Sequence, residues 1–128
     1  MEKKITVEKF VNEYMSSDKK NEYMSKVVYR TYAPLMEKRI VLDSFISKSV
    51  KNINDLYVVD YVDVYVFFVC AFLLRYTNIE VNKSVDIRNN LYADYDLLIN
   101  NELLDVIYEK IGKREIDELT KIRDLLLL

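Results

Sequence analysis

The chain has 128 residues, of which 19 are basic and 21 acidic, and its formal net charge is −2. This length fits one domain, and a domain of this size buries a core without disulfides or metals. The balanced charge argues against electrostatic binding of nucleic acid, which needs surplus Lys and Arg. With no His and one Cys, the sequence excludes Ser-His-Asp and Cys-His catalytic arrangements, Cys/His zinc sites and an intramolecular disulfide.

Glycine and proline occur once each. Tight hairpins often need Gly at positive φ, so this composition favours helices joined by short polar connections over a β-sheet protein. We therefore predict an all-α fold over residues 1–128. This single helical domain is a compact bundle of about five to seven helices around a central hydrophobic helix, with mostly antiparallel neighbours.

The N-terminal segment predicts two helices. MEKKITVEKF has no apolar stretch behind its lysines, so we expect no secretory signal peptide. Thr6 can cap a helix from Val7 to about Met15, with Phe10 on its apolar face. The polar loop SSDKKN leads to a second helical segment, Asn21 to Tyr32. The end of that segment, VVYRTY, could also pair as a short strand.

The only proline indicates the start of the next helix. Pro34 suits a first turn, where its missing N–H is not needed. The helix is predicted to run to about Val50, and the segment KNIND then links it to the central helix. The side chains predicted to face the core are Leu35, Leu42, Phe45, Ile46 and Val50.

The most apolar stretch is DLYVVDYVDVYVFFVCAFLLRYTN, residues 55–78. A membrane helix needs about 20 mostly apolar residues, whereas the uncharged run Val64 to Leu74 has only eleven. Val, Tyr and Phe favour strands, but the stretch is far longer than a strand and contains no turn signal. We predict a central helix over residues 56–76 with Asp55 as N-cap. Asp60 and Asp63 are expected on its exposed face, with burial increasing toward its end.

Three further helices are predicted after the central helix, and turn signals separate them. TNIEVNKS is interpreted as a polar turn, followed by a helix from Asp86 to Asn100. A break at Asn100-Asn101 leads into ELLDVIYEKI. Gly112 falls just past that helix, where positive φ is common. The last helix is predicted from Arg114 to the chain end.

Carboxylates are the remaining material for catalysis or metal binding. Asp60 and Asp63 lie three residues apart, and a second group is close in sequence, but no EF-hand spacing is present. The residues of that second group are Asp94, Asp96, Glu102 and Asp105. Acidic residues near helix starts usually serve as caps or dipole partners. We therefore predict no catalytic residue, metal or cofactor, and interpret Cys70 as a core residue.

Tyrosines and a leucine tail are the features most typical of an interaction surface. The chain has eleven Tyr, a residue enriched at protein interfaces, although core-edge Tyr with hydrated hydroxyls are more common. The terminal LLLL cannot face one side of a helix, so this end is either buried all round or docks on another chain. The candidate interface residues are Tyr29, Tyr32, Tyr57, Tyr61, Leu125, Leu127 and Leu128.

Several segments in order resemble a group of small helical proteins encoded by phages of low-GC Gram-positive bacteria. They are VVYRTYAPLMEKRIVLDSFI, VFFVCAFLLRYTNIEV and YDLLINNELLDVIYEKI, with REIDELTKI following. The resemblance spans roughly residues 20–122 and implies a role linked to virion structure. Its elements are not chemical motifs, so it implies no catalytic or binding residue.

These features lead to one expected function and one alternative. The expected function is that of a non-enzymatic phage protein acting by protein–protein contacts, in virion assembly or as a minor structural component. The alternative is a phage-encoded inhibitor of a host defence or regulatory protein. The partner is a second copy, another phage protein or a host protein, and neither nucleic acid nor a membrane is expected. The expected location is the host cytoplasm or the virion.

Overall fold

The computed structural model describes residues 4–81 and 87–128, without the side chains of residues 87–90. Within these ranges the chain forms seven helices and two small two-stranded sheets, which confirms the predicted all-α bundle. The helices are α1 (Val7–Ser16), α2 (Lys20–Val27), α3 (Leu35–Lys48), α4 (Tyr61–Tyr76), α5 (Ile87–Asn100), α6 (Leu103–Ile111) and α7 (Lys113–Leu126). The strands are β1 (Ile5–Thr6), β2 (Val50–Ile53), β3 (Leu56–Val59) and β4 (Ile79–Glu80).

The first helix begins at its predicted cap, whereas the second ends earlier than predicted. Thr6 caps α1 as predicted, because its hydroxyl accepts the Lys9 N–H at 3.1 Å. The second helix ends at Val27, five residues before the predicted Tyr32. Beyond it, Val28 forms a β-bridge with Thr77 at the end of α4. The backbone of this segment therefore pairs with the end of α4, and the chain leaves the helix.

Pro34 directly precedes α3, as predicted, and Leu42 and Phe45 lie in the core. Two of the side chains predicted to face the core are exposed instead, namely Leu35 and Val50. Leu35 lies in the first turn, away from the packed face. The exposure of Val50 has another cause, since this residue begins a strand and not a helical turn.

A β-hairpin replaces the predicted linker and the predicted start of the central helix. β2 pairs antiparallel with β3, in the register Val50↔Val59 to Ile53↔Leu56. The turn residues Asn54 and Asp55 have φ of 53° and 67°. Asn and Asp tolerate this left-handed region, so a two-residue turn forms here without glycine. The prediction of a linker at KNIND was therefore wrong, as was the assignment of Asp55 as a helix cap.

The central helix α4 begins at Tyr61 and carries much of the core. Asp60 is its N-cap, with Oδ1 accepting the N–H groups of Val62 and Asp63 at 3.1 Å each. Every residue from Val66 to Leu73 is buried, which confirms the predicted increase in burial along the helix. Asp63 was predicted to be exposed but is only 2% exposed, since its carboxylate accepts a hydrogen bond from a tyrosine of α5. No helix of the described chain is long and apolar enough to cross a membrane.

The segment after α4 is a buried strand where a polar turn was predicted. Ile79 pairs with Ile5 in the parallel β1–β4 sheet. Thr77, Asn78 and Ile79 are buried, because the chain passes between α4 and the start of α1. The prediction is thus wrong for residues 77–81, and residues 82–86 lie outside the described part of the chain.

The last three helices follow the predicted breaks. α5 ends at Asn100 and α6 starts at Leu103, on either side of the predicted Asn-Asn break. Gly112 separates α6 from α7 with φ of 110°, as expected for the only glycine. α7 packs against α3 and α6, and α3 packs in turn against α4.

Candidate interaction surface

A buried ionic cluster joins three helices. Lys38 of α3 is 1% exposed, and its Nζ lies 2.9 Å from Glu115 Oε1 and 3.2 Å from Glu118 Oε1 on α7. The other oxygen of Glu115 accepts the Tyr76 hydroxyl at 2.5 Å and the Ala33 N–H at 2.9 Å. The cluster therefore connects α3, α4 and α7 through groups that have partners inside the fold.

The electrostatics of this cluster fit a structural role. Burial acts to raise the pKa of Glu115, but the hydrogen bonds from Tyr76, Lys38 and Ala33 outweigh it and hold that pKa below the usual range. Burial, together with the hydrogen bond to Glu115, raises the pKa of the Tyr76 hydroxyl. The carboxylate thus stays ionised and the phenol neutral, which keeps the cluster intact near neutral pH. Sequence reasoning missed it because Lys38 and Glu115 are 77 residues apart.

Asp60 and Asp63, the two carboxylates considered for chemistry at the start of α4, have structural partners. Asp60 caps α4 and its Oδ2 lies 2.7 Å from Lys51 Nζ. Asp63 is buried and accepts a hydrogen bond from the Tyr92 hydroxyl. The acidic residues of α5 and α6 do not add a site: within residues 4–81 and 87–128, no group of three or more His, Cys, Asp or Glu could hold a metal ion.

The four predicted interface tyrosines are all exposed, but they lie in two separate places. Tyr29 and Tyr32 follow α2, and the Tyr29 N–H donates to the Tyr76 carbonyl at the C-terminal end of α4. Tyr57 and Tyr61 are 78% and 67% exposed and lie at the N-terminal end of that helix. A helix of 16 residues is about 24 Å long. The structure therefore does not bring the two pairs together.

The leucine tail is neither buried all round nor fully exposed. Leu126 packs against the core, Leu127 is half-buried, and Leu125 and Leu128 face solvent. Leu125 and Leu128 line an open groove with the polar residues of α7. This end of α7 is thus a third exposed position, apart from both tyrosine pairs in the chain.

The most extensive exposed apolar region is the hairpin together with the start of α4. We call it the hairpin surface. Its eight large apolar side chains are Val50, Ile53, Leu56, Tyr57, Val58, Tyr61, Val62 and Tyr65, all of them exposed. The sequence pattern identified only Tyr57 and Tyr61. Val50 was placed in the core, Ile53 in a linker, and Leu56, Val58, Val62 and Tyr65 in the central helix, because the periodicity of this stretch does not distinguish a strand from a helix.

The hairpin surface concentrates exposed apolar side chains on both faces of the hairpin. Successive side chains of a strand point to opposite faces, so Ile53, Leu56 and Val58 project from one face and Val50 and Tyr57 from the other. Clustered exposed apolar side chains mark interaction sites, whereas single ones are ordinary. Few charges interrupt the hairpin surface, because Lys51 is paired with Asp60 and Asp63 is buried. Such a surface is typical of a protein-binding site.

A smaller exposed group lies on α3, where Leu35, Met36 and Ile40 face solvent. Tyr32 precedes the same helix, and the Nζ of Lys38 lies 4.7 Å from its ring centre. This group was also missed, because Leu35 was placed in the core.

Comparison of the chain with protein-family models, with curated proteins and with solved structures found no match.

Proposed function

We propose that this is a non-enzymatic protein that acts through protein–protein contacts, and that the hairpin surface is where it contacts its partner. The observation that carries the proposal is the exposure of eight large apolar side chains on one continuous segment, Val50 to Tyr65. Interfaces are rich in Tyr and poor in charge at their centres. This segment has three exposed tyrosines, and its Lys51 is already paired inside the chain.

The roles of the acidic residues support a non-enzymatic protein over a carboxylate enzyme. The pair that sequence spacing offered for chemistry, Asp60 and Asp63, caps a helix and accepts a buried hydrogen bond. The buried Glu115 is held by three donors and joins helices. These groups stabilise the fold that presents the hairpin surface.

The resemblance to small helical phage proteins supports virion assembly as the process, with the protein as a minor structural component. On this proposal the partner is another copy of the chain or a neighbouring phage protein, in the host cytoplasm or the virion. A host defence or regulatory protein bound at the same surface would instead indicate an inhibitor.

Site-specific photo-crosslinking in phage-producing bacteria tests the proposal. A benzophenone side chain replaces Tyr61 on the hairpin surface, and a matched variant carries it at Asn12, an exposed position on α1. We expect defined protein adducts from position 61 that are absent from position 12, and mass spectrometry of the adduct identifies the partner. Equal adduct patterns at both positions, or none at position 61, would contradict it.

A further inference from the structure

The hairpin ladder determines which backbone groups of β3 point outward. Hydrogen-bonded and non-hydrogen-bonded pairs alternate along an antiparallel ladder, starting with a hydrogen-bonded pair beside a two-residue turn. Ile53↔Leu56 is that first pair, and the Asp60 N–H donates to the Ser49 carbonyl at 2.9 Å, as the alternation requires. Tyr57 and Val59 therefore direct their N–H and C=O groups away from β2.

This outer edge of β3 lacks the usual protection of an edge strand. Within the described chain, β3 pairs with β2 alone. Natural edge strands are commonly blunted by Lys, Pro or a bulge. The strand LYVV has no charged residue, proline or unpaired extra residue, whereas β2 carries Lys51. Leu56 and Tyr57 are 69% and 78% exposed, so the edge is apolar and open to solvent.

We propose that β3 pairs antiparallel with β3 of a second copy of this chain across a two-fold axis. The inference rests on the proposed function and names the partner. Because their N–H and C=O groups point outward, Tyr57 forms a hydrogen-bonded pair with Val59 of the second copy. Val59 likewise pairs with Tyr57 of the second copy. Val58 then faces its own counterpart on the axis, and about four backbone hydrogen bonds link the copies. The product is a four-stranded sheet in the order β2-β3-β3-β2.

The side chains fit this register. Each Tyr57 lies opposite a Val59 of the second copy, an aromatic and β-branched pair that stabilises antiparallel sheets. Asp60, which directly follows β3, lies opposite Leu56 of the second copy, so no like charges meet directly. Isologous pairing of this kind needs only one surface, and β3 supplies both the donors and the acceptors.

The shortness of the sheet favours a second copy. A two-stranded hairpin gains stability from further strands or from packing against a helix. Within the described chain β2 and β3 pair only with each other, so the strands of a second copy would lengthen the sheet to four. The exposed apolar side chains Leu56, Tyr57 and Val58 of β3 would then lie beside those of the second copy.

A disulfide across the axis tests the register. In a non-hydrogen-bonded pair the Cα atoms lie about 4.5 Å apart, within reach of a disulfide. Val58→Cys should therefore give a covalent dimer on mild oxidation, while the native Cys70 is buried. The matched control is Lys51→Cys, directly opposite Val58 on β2. In the proposed sheet, position 51 lies about 14 Å from its counterpart, which is too far for a disulfide.

The outcomes separate this inference from the proposed function. A covalent dimer from position 58 and none from position 51 supports pairing through β3. Crosslinking at position 51, or none at position 58 in a variant with unchanged circular dichroism, overturns it. If position 58 fails while benzophenone at position 61 captures one defined partner of different sequence, self-pairing is rejected and the proposed function stands.

Discussion

At the scale of single residues, the buried pair Lys38–Glu115 shows what the sequence did not reveal. Both residues are typical of solvated helix faces, and nothing local distinguishes Lys38 from its neighbour Arg39, which is exposed. Their pairing depends on α3 packing against α7. A long-range contact of this kind leaves no periodic signal, so the sequence could not predict it.

Removing one partner of this buried pair should destabilise the fold strongly. Lys38→Met leaves the Glu115 carboxylate buried without its cation, and such changes cost about 3–5 kcal/mol. The matched control is Lys113→Met, since Lys113 forms an exposed ion pair with Asp117 at 2.9 Å. An exposed pair contributes less than about 1 kcal/mol. Urea denaturation measures both, and equal losses of unfolding free energy would refute the structural role of the cluster.

At the scale of elements, the sequence predicted those whose signals are local. Thr6, Pro34 and Gly112 each mark a helix boundary in the structure, because capping and φ preferences act within one turn. The hairpin was missed because DLYVV continues a helical stripe of Tyr and Val residues into α4. In this stretch only Asn54 and Asp55 are typical of a turn. Asn54 was assigned to a linker and Asp55 to a helix cap.

The turn of the hairpin gives an element-scale prediction. Asp55 has φ of 67°, a region in which glycine carries no Cβ penalty. Asp55→Gly creates the Asn-Gly pair preferred in such turns and should stabilise the hairpin by up to about 1 kcal/mol. Hydrogen exchange should slow at the inward N–H groups of Lys51 and Val58. Asp55→Ala is the control and should speed exchange at the same groups. The opposite order of the two variants would contradict the turn geometry.

At the scale of the whole molecule, burial along α4 separates the core from the hairpin surface. The second half of this helix is enclosed, while its start and the hairpin before it remain apolar and exposed. The sequence predicted this gradient, and with it the exposure of Tyr57 and Tyr61. It did not predict an open strand edge, because an edge exists only once β2 and β3 have paired. The apolar character of the site was thus predictable, but its geometry was not.

The central claim is that the hairpin surface binds a second copy through β3. Its most direct test is light scattering coupled to size-exclusion chromatography over a range of concentrations, comparing the natural chain with Tyr57→Pro. The outward N–H of Tyr57 makes no bond to β2, so proline removes it without breaking the hairpin ladder. We expect a dimer whose dissociation constant rises about tenfold or more in the variant, with unchanged circular dichroism. A natural chain that stays monomeric at every concentration, or a variant that dimerises equally well, would contradict the claim.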